Sequence, residues 1–249
     1  MRAESDILSK VPRFFYDLHI HSCLSPCCDD DMTPRNIANM AALAGLQIIA
    51  VADHNTCGNC AAAEIAAREA GLAFVPAMEL TTSEEVHVLC LMPDIDAARG
   101  FSEYVRESLP DIENNPDIFG PQLIVDENDN LSGIETRMLA AATGIGIYDV
   151  PQPVRSYGGV AVLAHADRMS FSVTSNLGFI DPAMGFTASE ITRNTEREPF
   201  IEANTALKDM RILTDSDAHA LVTIYDAEFS VELERPTPEC LIGYLRGNG

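Results

Sequence analysis

The chain has 249 residues, of which 47% are hydrophobic, so it can bury a full core as one α/β barrel or as two smaller domains. No run approaches the 18 unbroken apolar residues typical of a membrane span. The formal charge of −22 argues against a surface for long nucleic acids, which would need clustered Lys and Arg. The first 15 residues contain no apolar run of signal-peptide length, so we expect a cytoplasmic protein.

Short apolar runs alternate with helical patterns along most of the chain. The spacing predicts strands at 14–20, 47–53, 73–79, 86–92, 159–165, 187–191, 211–217 and 227–233, and helices at 34–45, 60–71, 96–109, near 196–207 and near 237–246. The helix at 34–45 has Thr33 as its N-cap and Pro34 at its first position. This alternation favours parallel strands with helical crossovers, closed or nearly closed into a barrel.

The alternation of predicted strands and helices is interrupted between about 110 and 157, a segment rich in Asp, Asn, Pro and Gly. A short helix is expected at 132–142. Long non-repeating segments inside compact domains are often functional, so we interpret this one as a lid-like insertion over the active-site face. The prediction is one domain, 1–249, carrying that insertion.

The six histidines fall at or beside predicted strand ends, and none lies on a predicted helix. His19 and His21 form an H-x-H pair at the end of the first strand, where alternate side chains share a face. The other candidates at these ends are His54, Glu79, His87, His165, Asp217 and His219. Active sites of (β/α) barrels are assembled at the carboxyl ends of separate strands, so we expect these groups to converge on metal ions.

Imidazole and carboxylate ligands without thiolate suit Zn²⁺, Mn²⁺ or Fe²⁺. Glu79 is our choice of carboxylate to bridge two ions about 3.5–4 Å apart. A hydroxide between such ions would supply a nucleophile at neutral pH, and the ions would neutralise phosphoryl oxygens.

The motifs D-L-H-I-H (17–21), A-D-H-N (52–55), A-H-A-D-R (164–168) and S-D-A-H (216–219) stand in order with Glu79 and His87. Together they resemble the PHP family, the polymerase and histidinol phosphatase domains, over roughly 13–95 and 158–233. The resemblance implies a distorted (β/α)7, TIM-like barrel that binds two or three divalent metal ions and hydrolyses phosphoric esters.

The family pattern implies a ligand set for each ion. His19, His21, Glu79 and Asp217 would hold the first ion, and Glu79, His87 and His165 the second. A third ion would take His54, His219 and an aspartate from the loop after the first strand. Counted back from Thr33-Pro34 that aspartate is Asp29; counted forward from His21, Asp30 or Asp31 could substitute.

Arg168 keeps a family position three residues after His165, which implies that it grips the phosphate. An ordinary ion pair with Asp167 or Glu190 is an equal alternative for Arg168. Asp53 is expected to support a ligand rather than bind metal. Arg193 could also face the site.

Seven cysteines suggest reduced thiols rather than a disulfide framework. Cys57 and Cys60 form a C-x-x-C, and Cys23, Cys27 and Cys28 lie in the loop after the first strand. Four of these thiolates could form a zinc or iron–sulfur site, but the spacing matches no cluster signature, so incidental cysteines are the favoured interpretation.

The expected function is hydrolysis of a small phosphorylated metabolite or nucleotide, with no long nucleic acid and no membrane as partner. One alternative is a non-catalytic metal-binding PHP module. Another is an amidohydrolase-type C–N hydrolase, which usually bridges its metals with a carboxylated lysine. The only lysines are Lys10 and Lys208, and neither ends a predicted strand.

Overall fold

The computed structural model describes residues 11–247. Lys10 and most of the N-terminal segment that suggested a cytoplasmic protein lie outside them. None of the helices in residues 11–247 has the length and apolar character needed to cross a membrane.

In this part of the chain the strands are β1 (Arg13–Ile20), β2 (Ile48–Val51), β3 (Ala73–Thr81), β4 (His87–Leu91), β5 (Leu123–Val125), β6 (Leu131–Ile134), β7 (Val160–Leu163), β8 (Ala188–Glu190), β9 (Arg211–Leu213) and β10 (Ser230–Glu232). The α-helices are α1 (Pro34–Leu43), α2 (Cys60–Glu69), α3 (Ile95–Ser108), α4 (Pro116–Phe119), α5 (Pro151–Ser156), α6 (Val173–Leu177), α7 (Arg197–Ala203) and α8 (Pro238–Leu245). Short 3-10 helices span Ile147–Asp149, Pro182–Met184, Thr205–Asp209 and Leu221–Thr223.

Eight strands form one sheet in the order β10-β1-β2-β3-β4-β7-β8-β9. The α/β class is confirmed, but the sheet is mixed rather than parallel throughout, since β4 runs antiparallel to both β3 and β7. The reason is the connection from β3 to β4, a tight turn in which the Thr82 amide donates to the Val86 carbonyl at 2.9 Å. A helical crossover needs a dozen or more residues, so this turn can only join antiparallel strands.

The sheet curls until the chain after β9 meets the end of β1. Ile20 and Ala218 form a parallel bridge there, and the His21 amide donates to the Ala218 carbonyl at 2.9 Å. Inside the curl, small and branched side chains from successive strands pack together, among them Leu18, Ala50 and Val75. A larger apolar cluster lies between the outer face of the sheet and the helices. The fold is therefore a curled half-barrel of eight strands, consistent with a TIM-like barrel. The regular (β/α)7 barrel and the lid stay predictions.

The segment 110–157 contains α4, β5, β6 and α5, and the helix expected at 132–142 is wrong. Residues 131–134 instead form β6, which pairs with β5. Beyond β6 the chain is held by the Gln122 side chain, whose amide nitrogen donates to the carbonyls of Glu135 and Arg137 at 2.7 and 2.8 Å. Its oxygen accepts the Leu139 amide at 2.9 Å. These bonds satisfy backbone groups that a helix would otherwise pair internally.

Candidate metal centre

Glu79 and His87 reach the inside of the curl because of strand alternation. In β3, Val75 and Ala77 belong to the inner core, and Glu79 continues the same face two residues on. In β4, Leu89 and Leu91 are inner residues, and His87, two residues before Leu89, lies on the same face. A carboxylate and an imidazole thus replace apolar side chains where the core opens.

His19 and His21 lie where β1 becomes irregular. The pairing of β1 with β2 shifts register between Asp17 and Ile20, and such bulges re-aim side chains next to active sites. Both histidines are completely buried. Each also contacts the Glu79 carboxylate.

His165 and Asp217 follow β7 and β9, and both adopt left-handed backbone conformations with φ of +28° and +51°. Such angles are uncommon for residues other than glycine and carry a free-energy cost. They turn the two side chains back over the end of the sheet. Both side chains are buried and face the cluster around Glu79.

Glu79 is the centre of the cluster. Its two carboxylate oxygens lie within 3.3 Å of one ring nitrogen from each of five histidines: 3.2 Å to His19 Nε2, 3.3 Å to His21 Nε2, 3.0 Å to His54 Nδ1, 2.8 Å to His87 Nδ1 and 3.1 Å to His165 Nε2. Asp217 Oδ1 lies 3.0 Å from His21 Nε2. The predicted ligands, apart from Asp29, therefore converge at one end of the sheet.

The ligand atoms form three overlapping groups, each compact enough to hold one cation: His19, His21, Glu79 and Asp217; His54, Glu79 and His87; and His21, His54 and His219. The second group contains His54, where the family pattern implied His165. Several atoms in the cluster are buried without a hydrogen-bond partner, including His19 Nε2, His21 Nε2 and Glu79 Oε2. Buried polar atoms normally have partners, so these residues fit divalent cations.

The electrostatics show a site built for positive charge. Burial opposes the charge of Glu79, but the surrounding imidazoles, His87 first, hold its pKa well below the usual range. Burial acts to lower the pKa of His54, but the Glu79 carboxylate and the Cys27 side chain together outweigh it and raise the pKa to about 10. His54 therefore holds a proton where a cation would bind. Metal binding would have to displace that proton, because ligands must be deprotonated.

Three histidines are oriented by hydrogen bonds that leave Nε2 free. Glu190 Oε2 lies 3.0 Å from His19 Nδ1, Ser25 Oγ lies 2.9 Å from His21 Nδ1, and the Asp217 carbonyl oxygen lies 2.9 Å from His219 Nδ1. Such outer contacts fix the tautomer and aim the lone pair of a metal ligand. Sequence reasoning missed Ser25, and it treated Glu190 only as a partner for Arg168. The place of Glu190 at the end of a predicted strand was the available signal.

Asp53 acts on this layer rather than on a metal ion. Its carboxylate accepts hydrogen bonds from the Ser22 amide at 2.7 Å, from Ser22 Oγ at 2.6 Å and from Ser25 Oγ at 2.7 Å. The Ser25 hydroxyl donates to Asp53, so it accepts from His21 Nδ1. Asp53 thus holds the loop after β1 and, through Ser25, the orientation of His21.

Arg168 lies at the mouth of the cluster and forms an ion pair with Asp217 rather than with Asp167 or Glu190. It lines a pocket of about 250 Å³ together with His165, Asp217, Arg193 and Tyr225. The Arg193 guanidinium lies 5.0 Å from the centre of the Tyr225 ring. Two arginines therefore face the pocket beside the metal-binding groups.

Asp29, Asp30 and Asp31 are exposed, and none belongs to a metal-binding group among residues 11–247. The cysteines do not gather into a thiol cluster in that part of the chain either. Cys57 and Cys60 are buried, and each Sγ lies 3.3 Å from the Ala77 carbonyl oxygen. Cys27 alone among the thiols lies against the histidines.

The chain resembles known proteins in sequence over a short stretch and in fold over most of its length. No protein-family model matches the sequence. A stretch of 79 residues is 34% identical to a 5'-3' exoribonuclease from Haemophilus influenzae, covering 30% of this chain and 28% of that protein. The fold is similar to the lesion-specific endonuclease Q from Pyrococcus furiosus, with a TM-score of 0.67 and 19% identity over 96% of this chain and 57% of that one.

A second endonuclease Q structure holds a 27-mer duplex substrate with an abasic lesion at the active site. It matches with a TM-score of 0.69 and 19% identity over the same shares of the two chains. A two-domain protein from Bacteroides vulgatus, containing a predicted PHP-like metal-dependent phosphoesterase, matches with a TM-score of 0.55 and 14% identity over 96% of this chain and 64% of that one. The chain spans just over half of the endonuclease Q chain and a smaller part of the exoribonuclease.

The expectation of a small phosphorylated partner and no long nucleic acid is wrong, because a protein of this fold holds a DNA duplex at its active site. The reasoning failed because a net charge of −22 is a sum that does not locate charge. Arg168 and Arg193 line the pocket, although Glu190, Asp215 and Asp217 line it too. The resemblance to the PHP family noted in the sequence is confirmed at the level of structure. The chain has the fold of PHP-like metal-dependent phosphoesterases and of endonuclease Q.

Proposed function

We propose that this protein is a metal-dependent hydrolase that cleaves phosphodiester bonds of a nucleic-acid strand. The observation that carries the proposal is the contact of one buried carboxylate, Glu79, with five imidazoles, with Asp217 beside them. A buried group of this composition, with unpartnered Nε2 atoms, suits two or three ions of Zn²⁺, Mn²⁺ or Fe²⁺.

The proposed ligands follow the three groups of side chains described above. His19, Glu79 and Asp217 would hold one ion, Glu79 would share a second with His87 and His54 or His165, and His54 and His219 would hold a third. His21 offers one free nitrogen, Nε2, so it would bind either the first ion or the third. Divalent ions held there would activate water at neutral pH and offset negative charge on phosphoryl oxygens. Glu190 and Ser25 keep the imidazoles aimed, and Arg168 and Arg193 would bind the phosphate from the open side.

Two lines of support favour a nucleic-acid substrate. The relative matched by sequence is an exoribonuclease, and a fold neighbour carries a DNA duplex at its active site. The chain's own contribution is the pocket beside His165 and Asp217, where two guanidiniums could contact phosphates and Tyr225 offers an aromatic face. Aromatic rings near a charged groove are typical of single-strand binding, because every base can stack on them.

We further propose that the chain acts as one domain in the cytoplasm, with 110–157 as an insertion covering one side of the site. Contacts support the position of the insertion. Asn55, the neighbour of His54, donates to the carbonyls of Leu139 and Ala141 at 2.7 and 2.9 Å. Asn59 Oδ1 accepts the Val125 amide at 3.1 Å.

The test is cleavage of end-labelled RNA and DNA strands, and of a duplex with an abasic site, by protein loaded with Mn²⁺ or Zn²⁺. Labels at the 5' and 3' ends, resolved on a gel, distinguish stepwise removal of nucleotides from internal cuts. We expect His19→Ala to abolish cleavage and Glu103→Gln, on the exposed face of α3, to leave it unchanged. Fully metal-loaded protein that leaves all three substrates intact would overturn the proposal.

The two alternatives predict different results in the same assays. A non-catalytic metal-binding module would bind metal yet be inert toward every phosphate ester. An amidohydrolase with a carboxylated lysine would need that lysine in the cluster, and Lys208 is exposed in the 3-10 helix Thr205–Asp209, outside the metal-binding groups. Glu79 occupies the central position instead.

A further inference from the structure

The loop between β1 and α1 places one thiol against the histidines of the third metal-binding group. We propose that the thiolate of Cys27 is a metal ligand there, which makes this position a mixed nitrogen–sulfur site with His21, His54 and His219. The inference rests on the proposed metal centre and adds to it a ligand that the family pattern does not supply.

The distance between the thiol and His54 suits coordination. Cys27 Sγ lies 3.4 Å from His54 Nε2. Zinc binds sulfur at about 2.3 Å and imidazole nitrogen at about 2.0–2.1 Å, so tetrahedral geometry separates the two ligand atoms by about 3.6 Å. The thiol is therefore already at ligand spacing from His54.

The histidines supply an independent reason to expect a cation at this position. His21 is completely buried, and its Nε2 has no hydrogen-bond partner. His54 turns Nδ1 toward Glu79 at 3.0 Å, which leaves Nε2 facing Cys27. His219 uses Nδ1 for the Asp217 carbonyl, so its Nε2 is free. The three imidazoles are thus oriented for a cation that they do not share among themselves by hydrogen bonds.

The aspartates expected to serve this ion do not compete for the position. Asp29 uses its backbone amide to donate to the His219 carbonyl at 3.1 Å, which fixes the loop against His219. Its side chain is exposed, like those of Asp30 and Asp31. Because the loop is longer than the family pattern, the residue that arrives beside His54 is Cys27.

A thiolate changes which metal this position prefers. Soft sulfur ligands favour Zn²⁺ over Mn²⁺ or Mg²⁺, whereas the other two groups offer only nitrogen and oxygen. We therefore expect Zn²⁺ to fill one more position per chain than Mn²⁺ does. The exposed edge of Cys27 also leaves its sulfur open to oxidation when no metal is bound.

The test uses full-length protein stripped of metal and titrated without oxygen with Co²⁺, a spectroscopic substitute for Zn²⁺. We expect a sulfur-to-cobalt charge-transfer band in the wild type and in Cys28→Ser, the adjacent-thiol control, but not in Cys27→Ser. Metal analysis after Zn²⁺ loading should show one ion fewer per chain in Cys27→Ser. A thiol-reactive dye should report one more accessible thiol in metal-free wild type than in the zinc form.

A charge-transfer band that persists in Cys27→Ser, or that Cys28→Ser loses equally, would overturn the assignment. So would an unchanged zinc count in Cys27→Ser. Failure of the proposed function looks different: protein that binds no metal at all sinks both proposals, whereas protein that binds metal and cleaves nucleic acid without a thiolate band sinks only this one.

Discussion

Glu79→Gln tests the centre of the site. The substitution keeps the shape of the side chain and removes its charge, and Glu79 contacts five histidines at 2.8–3.3 Å. At an effective dielectric constant near 20, two unit charges 4 Å apart attract by about 4 kcal/mol. Loss of this attraction for a cation among the imidazoles weakens its binding about 1,000-fold, because each 1.4 kcal/mol is tenfold.

Metal binding is measured by isothermal titration of metal-free protein with Zn²⁺ and Mn²⁺, and by the metal content that survives dialysis. Strand cleavage at a fixed free metal concentration should fall with the affinity. Glu103→Gln makes the same chemical change on an exposed helix face and should match the wild type. If Glu79→Gln retains the full metal content and cleaves normally, the central carboxylate has no role in binding cations.

Three further predictions concern residues around the cluster. Arg168→Ala should lower kcat/KM for strand cleavage about 10- to 100-fold, as expected for a charge-assisted contact of about 1.5–3 kcal/mol. Arg168→Lys should recover only part of the lost activity, and wild-type activity in both variants would exclude a phosphate contact. Ser25→Ala should weaken metal binding about 10- to 100-fold, since His21 loses the partner that fixes its tautomer, and an unchanged titration would contradict this. Burial raises the pKa of Asp17 from 3.8 to about 6, so the stability that this group adds to the folded state is fully present below pH 3.8 and is lost as the pH rises through 6. In metal-free protein, the unfolding free energy of Asp17→Asn should therefore rise by about 3 kcal/mol relative to wild type across this window. A difference between the two proteins that stays constant with pH in urea unfolding would refute it.

The residues that converge around Glu79 could be predicted from sequence because their positions follow from strand periodicity. The carboxyl ends of β1, β2 and β3 were set by apolar runs, so His21, His54 and Glu79 could be assigned to one edge of the sheet. The direction of β4 was harder to predict. An apolar run indicates a buried strand but not whether the strand is parallel or antiparallel to its neighbours, and only the short turn at 82–86 distinguishes these two directions.

The loop and the insertion were harder to predict, because their conformations depend on side-chain bonds between distant segments. Ser25 and Asp53 are 28 residues apart, and the bond between them has no sequence motif. Residues 132–142 have a helical spacing of apolar residues, but 131–134 form β6, and the Gln122 side chain then binds the backbone of Glu135, Arg137 and Leu139. The contact of Cys27 with His54 could not be predicted for the same reason, because the unusual length of the loop changes which side chain lies against the histidines.

The left-handed backbone at His165 and Asp217 limits how this site can change. Glycine would relax either position but would delete an imidazole or a carboxylate, and alanine would keep the strain while deleting the same group. At these two positions, therefore, the residue that removes the backbone strain is not the residue that supplies the imidazole or the carboxylate. Selection for thermal robustness alone, in a laboratory evolution experiment without an activity screen, should drift toward glycine there first, and such drift would mark where stability and chemistry conflict.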